Sequence, residues 1–363
     1  MSLLHHVRTI GLLALLAALA AQSTDFPLTR EAEFYGKLDR GFVRCELCPR
    51  SCVIAPGGRG VCRVRENRDG TLYSVVYGRP CTIGKEPIEK APFFHFLPGR
   101  TRITLATAGC NQSCKYCQNW EISQASPEDL PCYDMPPDSV VAIALREDAP
   151  IICLTYSEPV VFFEYMCDIA RKARPAGLET AVVTGGYINT APLETLCSLV
   201  DAIKIDLKGF TDDFYREVCG SSLQPVLDAC RTVANSGTHL ELVNLVVPAL
   251  NDDTVAIRKM CQWIGSNLGD TVPVHFTRFS PAYRLRDAPP TPVTTLERAV
   301  AIAETVGLKY VFVGNVPGHE RESTFCPECG AKVIDRRGYT IRENRLVDGC
   351  CPECGTRVHG VWQ

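Results

Sequence analysis

The sequence predicts an α/β fold, a partial or complete TIM-like (β/α) barrel set between two small cysteine-rich segments. Three observations carry that expectation. Seven short apolar, mostly β-branched runs alternate with segments of helical apolar spacing through the middle of the chain, the pattern of parallel strands with helices outside them. No Gly-rich dinucleotide fingerprint follows the first run, which argues against a doubly wound sheet. Twelve of the twenty cysteines fall into three tight clusters, one on either side of the alternating region and one at its start.

In chain order, residues 1–24 begin with His5, His6 and Arg8 and continue into an apolar run from Ile10 to Ala21. This segment reads as a short signal peptide and is too short to span a bilayer. Residues 25–100 are rich in Cys, Pro and Gly and carry Cys45-x2-Cys48-x3-Cys52-x9-Cys62. Such a lobe folds by closing its ligands on a metal rather than by building a large core. The spacing admits zinc or an iron–sulfur cluster. Residues 101–316 form the barrel core, with strands expected at 103–106, 151–155, 180–184, 202–206, 240–246, 272–276 and 310–313. In a barrel the chemistry gathers at the C-terminal ends of the strands.

Residues 317–363 form a zinc-ribbon-like tail, with Cys326-x2-Cys329 and Cys351-x2-Cys354 as two knuckles followed by Gly330 and Gly355. Cys350 is a spare or an alternative ligand. A formal charge of −3 provides no basic excess for sequence-blind nucleic-acid binding. Thiolate ligation calls for a reducing compartment and so for the cytoplasm; the leader-like residues 1–24 leave export open.

The centre of the chemistry is Gly109-Cys110-Asn111-Gln112-Ser113-Cys114-Lys115-Tyr116-Cys117, directly after the first core strand. Iron–sulfur cubanes take four thiolates. Three in one C-x3-C-x2-C loop hold three irons and leave the fourth open to a small molecule. The alternative is a structural metal loop with a distant fourth ligand, Cys132 being the nearest candidate. Strand ends supply further polar residues: Glu158, the Gly185-Gly186 turn, the Lys204, Asp206 and Lys208 face, and His275.

The C-x3-C-x2-C loop with an aromatic before its last Cys resembles the signature of the radical S-adenosylmethionine (SAM) superfamily. The flanking words Ala108-Gly109-Cys110-Asn111 and Cys117-Gln118-Asn119-Trp120-Glu121 are similar to those of pyruvate formate-lyase activating enzymes, and most of all to AmmeMemoRadiSam-system radical SAM enzymes. The resemblance implies a [4Fe-4S] cluster on Cys110, Cys114 and Cys117, whose open iron binds SAM. It places Tyr116 against the adenine and Glu158 on the methionine amino group, in a family word whose two glycines are here Tyr156 and Ser157. Asp206 and Lys208 match an Asp-x-Lys near the ribose and carboxylate, and His275 ends the sixth strand as a further cofactor contact. The implied reaction is reductive cleavage of SAM to a 5′-deoxyadenosyl radical. The implied partners are a flavodoxin or ferredoxin as electron donor and a protein substrate, with Memo-like or AMMECR1-like proteins as associates. Two rivals are a glycyl-radical-enzyme activase and a non-catalytic zinc or iron–sulfur binding protein.

Overall fold

The computed structural model describes residues 29–363, so the leader-like segment 1–24 lies outside the described residues. Eight strands form one sheet: β1 (Thr82–Pro87), β2 (Thr101–Ala106), β3 (Ile151–Leu154), β4 (Glu179–Thr184), β5 (Ala202–Asp206), β6 (His239–Val246), β7 (Val274–Arg278) and β8 (Val311–Gly314). From β2 to β8 every neighbouring pair is parallel, and β1 runs antiparallel to β2 at the edge. Six helices provide the crossovers: α1 (Pro137–Arg146), α2 (Phe163–Ala173), α3 (Thr190–Cys197), α4 (Gln224–Ser236), α5 (Thr254–Asn267) and α6 (Val293–Val306). The strands keep their chain order across the whole sheet, without the reversal that defines a doubly wound fold. Among the described residues β1 and β8 do not pair, so the barrel is partial.

Alternation sorts the side chains. Ile103 and Leu105, Ile203 and Ile205, and Leu240 and Leu242 are buried in the main apolar cluster with α1, α2, α4 and α5. Their neighbours Arg102, Lys204, Asp206, Val243 and Leu245 face the other way and line a cavity. The seven expected strands are all present. The edge strand β1 was not expected: Thr-Ile-Gly-Lys-Glu-Pro shows no apolar period, because an antiparallel edge is only partly covered. It comes from the stretch read as the N-terminal lobe and extends the core sheet instead.

Strands of two to four residues build the lobe. It is tied to the barrel by Arg65, 1% exposed, whose guanidinium donates to both Glu164 oxygens on α2 at 3.1 and 3.0 Å. The tail forms a three-stranded antiparallel sheet of Thr324–Phe325, Lys332–Arg337 and Thr340–Asn344. Buried Arg336 donates to the Phe94 carbonyl at 2.5 Å and to Thr324 Oγ1 at 2.7 Å, and Val361 N donates to the His95 carbonyl at 2.7 Å. Tail and barrel therefore share a small core of Phe94, Tyr310, Phe312, Val333 and Val358. No helix among the described residues is long and apolar enough to cross a membrane.

Candidate active site

A cavity of about 470 Å³ opens at the C-terminal ends of the strands, within the size range of small-molecule sites. The loop after β2 brings Cys110, Cys114, Tyr116 and Cys117 into its wall, and the loop after β3 adds Tyr156, Ser157 and Glu158. Thr184 ends β4 with Gly185 after it, Asp206 ends β5 with Lys208 two residues on, and Thr277 is the last residue but one of β7. The cysteine loop is pinned by its backbone. Ser113 N donates to the Cys219 carbonyl and Lys115 N to the Val218 carbonyl, each at 2.9 Å, and Gly109 N to the Ile122 carbonyl at 3.0 Å. Gly109 has φ +93°, and a Cβ there would lie 2.5 Å from the Cys62 carbonyl oxygen. Only glycine fits that turn.

Burial raises the thiols of Cys110 and Cys117; Cys114 is raised first by its hydrogen bond with Cys219 and then by burial. Iron binds the thiolate form, so each of the three thiols gives up its proton on ligation. Lys208 favours the thiolates of Cys114 and Cys117. Burial raises the Glu158 carboxyl, partly offset by donors from its own chain: Thr184 Oγ1 at 2.6 Å, Gly185 N at 2.8 Å and Val160 N at 3.2 Å. Burial also works to raise Asp206, but Lys204 Nζ at 2.9 Å and Lys208 Nζ at 3.2 Å outweigh it and hold the carboxyl down to about 2. The cavity wall thus presents three thiols, a buried carboxylate and a lysine–aspartate–lysine row. Among the lining residues no fourth cysteine appears. That donor set fits a cluster held by three thiolates with one iron left open.

Of the residues singled out from sequence, Cys110, Cys114, Cys117, Tyr116, Glu158, Asp206 and Lys208 converge on this cavity. His275 does not. It is fully buried and absent from the cavity wall, with Nε2 at 2.6 Å from Glu241 Oε2 and its ring packed on Phe94 and Phe312. Its register on β7 is two residues short of Thr277, the one that reaches the rim. Cys132 is no fourth ligand either, since its Sγ lies 3.8 Å from the Pro127 carbonyl beside Cys81. A cysteine that does meet the loop is Cys219, whose Sγ is 3.6 Å from Tyr116 Oη. Nothing in the sequence around Cys219 signals this. Arg102 and Tyr339 were also not foreseen. Arg102 could have been, as a buried arginine in the inward register of β2, held by Glu86 at 2.9 Å. Tyr339 comes from the tail hairpin and, with Gly338, closes one side of the cavity.

Tyr156 has φ +67° and its hydroxyl donates to Glu86 Oε2 at 2.7 Å. This left-handed backbone sits where the resemblance expects glycine, and a non-glycine residue there stores strain beside the site.

The other two cysteine groups differ from each other. In the tail, the sulfurs of Cys326, Cys329, Cys351 and Cys354 lie within 4.8 Å of one another. Cys326 and Cys354 are 3.5 Å apart, and Cys329 and Cys351 3.7 Å. A Zn–S bond of about 2.3 Å in tetrahedral geometry sets sulfurs roughly 3.8 Å apart, so the tail matches a single-ion site. Cys350 stands outside it, its Sγ directed at the Asp348 carbonyl. In the lobe, Cys45, Cys48, Cys52 and Cys62 line a common apolar cavity with Arg65 and Asn111.

The sequence pattern of the radical SAM superfamily matches residues 104–261. An uncharacterised protein of Methanocaldococcus jannaschii is 47% identical over 331 residues, covering 91% of this chain and 98% of its own. The pyruvate formate-lyase 1-activating enzyme of Escherichia coli is 23% identical over 234 residues, covering 59% of this chain and 93% of that one. Among solved structures, a domain of pyruvate-formate lyase-activating enzyme from Bacteroides vulgatus aligns with a TM-score of 0.40 at 17% identity, over 45% of this chain and 98% of that one.

Proposed function

The chain belongs to the radical SAM superfamily, and from that premise we propose that it binds a [4Fe-4S] cluster on Cys110, Cys114 and Cys117 and SAM in the adjoining cavity, and that its substrate is a protein or peptide. The observation that carries this reading is the convergence of the three-thiol loop, Glu158, Asp206 and Lys208 on one cavity. When bound, the cluster supplies the electron that splits SAM into methionine and a 5′-deoxyadenosyl radical, which abstracts a hydrogen atom from the substrate.

The chain's own residues orient and exclude. Glu158 is held by three donors so that its carboxylate stays fixed, and it would accept from the methionine ammonium group. Asp206, ionised between two lysines, would accept from the ribose hydroxyls, and Lys208 would pair with the methionine carboxylate. Tyr116, 5% exposed and stacked on Phe214, would give the adenine an apolar face. Gly185 keeps that corner open, since a Cβ there would lie 2.2 Å from Gln112 Oε1. Tyr339 and Gly338 bring the tail to the cavity, which suits a tail that stabilises the fold through zinc and also meets the substrate. The electron donor would be a flavodoxin or ferredoxin, and Memo-like or AMMECR1-like proteins would be associates.

The test is anaerobic reconstitution with iron and sulfide. The reduced cluster's electron paramagnetic resonance (EPR) spectrum should shift when SAM is added, and the shift should vanish in a C110A/C114A/C117A variant. A wild-type spectrum indifferent to SAM contradicts the reading. Similarity to the activating enzymes favours a second reading as a glycyl-radical activase, which would leave a backbone glycyl doublet on a partner protein.

A further inference from the structure

The four lobe cysteines enclose a cavity that the proposed reaction leaves unused. Its construction differs from that of the tail. The tail sulfurs close within 4.8 Å of one another, and among the described residues theirs is the group that does so. Tetrahedral zinc, with Zn–S of about 2.3 Å, leaves no free space between its sulfurs. The lobe sulfurs do not gather within that limit, and their residues line, with Leu47, Ile54 and Val160, a small apolar cavity. A cubane of four irons and four sulfides holds its cysteine sulfurs farther apart than one ion does, in keeping with the wider spacing of the lobe sulfurs.

Arg65 supplies a second observation. It lines this cavity at 1% exposure. Its Nη atoms are satisfied by Glu164 and by the Glu33 carbonyl, while Nε has no acceptor. A buried guanidinium N–H without an acceptor is rare. An anionic cluster in the cavity would provide sulfur acceptors beside it.

Position is the third. The cavity adjoins the C-x3-C-x2-C loop: the Cys62 carbonyl packs so closely on Gly109 that a Cβ there would lie at 2.5 Å. Asn111, next to Cys110 in the chain, forms part of the cavity wall, and its carbonyl accepts from Arg50 of the lobe at 2.9 Å.

We propose that Cys45, Cys48, Cys52 and Cys62 hold a second [4Fe-4S] cluster, which relays single electrons to the cluster on Cys110, Cys114 and Cys117. The site stands on its own geometry, whereas the relay rests on the proposed function. In the relay step one electron enters from a small donor protein of the flavodoxin or ferredoxin class and the same electron leaves for the neighbouring cluster. No bond forms or breaks, and no proton moves.

The test is anaerobic reconstitution of the full-length C110A/C114A/C117A variant, which leaves the lobe intact. It should hold about four irons and four sulfides per chain and give a cubane EPR signal after dithionite reduction. A variant that carries zinc in the lobe and no acid-labile sulfide overturns the assignment. For the relay, a C45S/C48S variant should lose 5′-deoxyadenosine release driven by reduced flavodoxin while dithionite still drives it. Equal release with either donor refutes the relay. If the native chain releases none with any donor while the triple variant still holds iron and sulfide, the relay falls with the proposed reaction and the site stands.

Discussion

Glu158→Gln isolates the proposed hold on SAM with the smallest change of shape. In the native chain Oε1 accepts from Val160 N and Thr184 Oγ1, and Oε2 accepts from Gly185 N at 2.8 Å. The amide can keep one oxygen facing two of these donors, but its NH2 then faces the Gly185 N–H. One charge-assisted bond is lost and two donors oppose each other, a cost of about 1.5–3 kcal/mol. The methionine ammonium group loses an anionic partner of the same kind, so SAM affinity should fall roughly 10- to 150-fold. Equilibrium dialysis of labelled SAM against the anaerobically reconstituted protein measures it, with iron content as the control for folding. Because burial raises the carboxyl, its anionic form is lost on acidification sooner than an exposed glutamate's would be. Native affinity should therefore weaken as pH falls through that raised value, and the variant's should not follow. An unchanged Kd with full iron content would refute the role given to Glu158.

Three further outcomes follow from the packing. Glu241 is fully buried and accepts from Phe94 N, His95 N, His239 and His275, so Glu241→Ala should cost about 3–5 kcal/mol in denaturant unfolding. Burial works to raise that carboxyl, but the two histidines outweigh it and hold it well below its ordinary 4.5. Its stabilisation is then present above pH 4.5 and lost as pH falls through the lowered value, a slope that Glu241→Gln should flatten. In the tail, Cys329→Ser should release zinc measured by mass spectrometry, whereas Cys350→Ser, outside the sulfur group, should keep it. Gly109→Ala imposes φ +93° on an L-residue and presses its Cβ on the Cys62 carbonyl and Val64. About 1–2 kcal/mol of backbone strain plus that overlap should displace Cys110 and lower the iron bound per chain.

The sequence made the barrel legible because its parallel strands are buried on the helix-facing side: Ile103, Leu105, Ile203 and Ile205 leave an apolar run that periodicity detects. The edge strand Thr82–Pro87 leaves no such trace, since partial exposure permits Gly84, Lys85 and Glu86. In the site, local spacing revealed the cysteine loop and the Lys204, Asp206, Lys208 face, which alternation places together. Tertiary partners were not legible. His275 looked like a rim residue until Glu241, thirty-four positions away, was seen to hold it in the core. Cys219 reaches Tyr116 through the π-helical turn Tyr215–Cys219, and Tyr339 reaches the cavity through the docking of the tail by Arg336. These placements depend on contacts between residues separated by 34, 103 and 242 positions, and no short-range pattern encodes them.

The central claim is that Cys110, Cys114 and Cys117 enable this chain to cleave SAM. Its most direct measurement is 5′-deoxyadenosine released by the reconstituted, dithionite-reduced protein, quantified by mass spectrometry beside the C110A, C114A and C117A single variants. The account predicts release by the native chain and none by any of the three. Release that persists in one of them, or its absence from a native chain with full iron and sulfide, contradicts it.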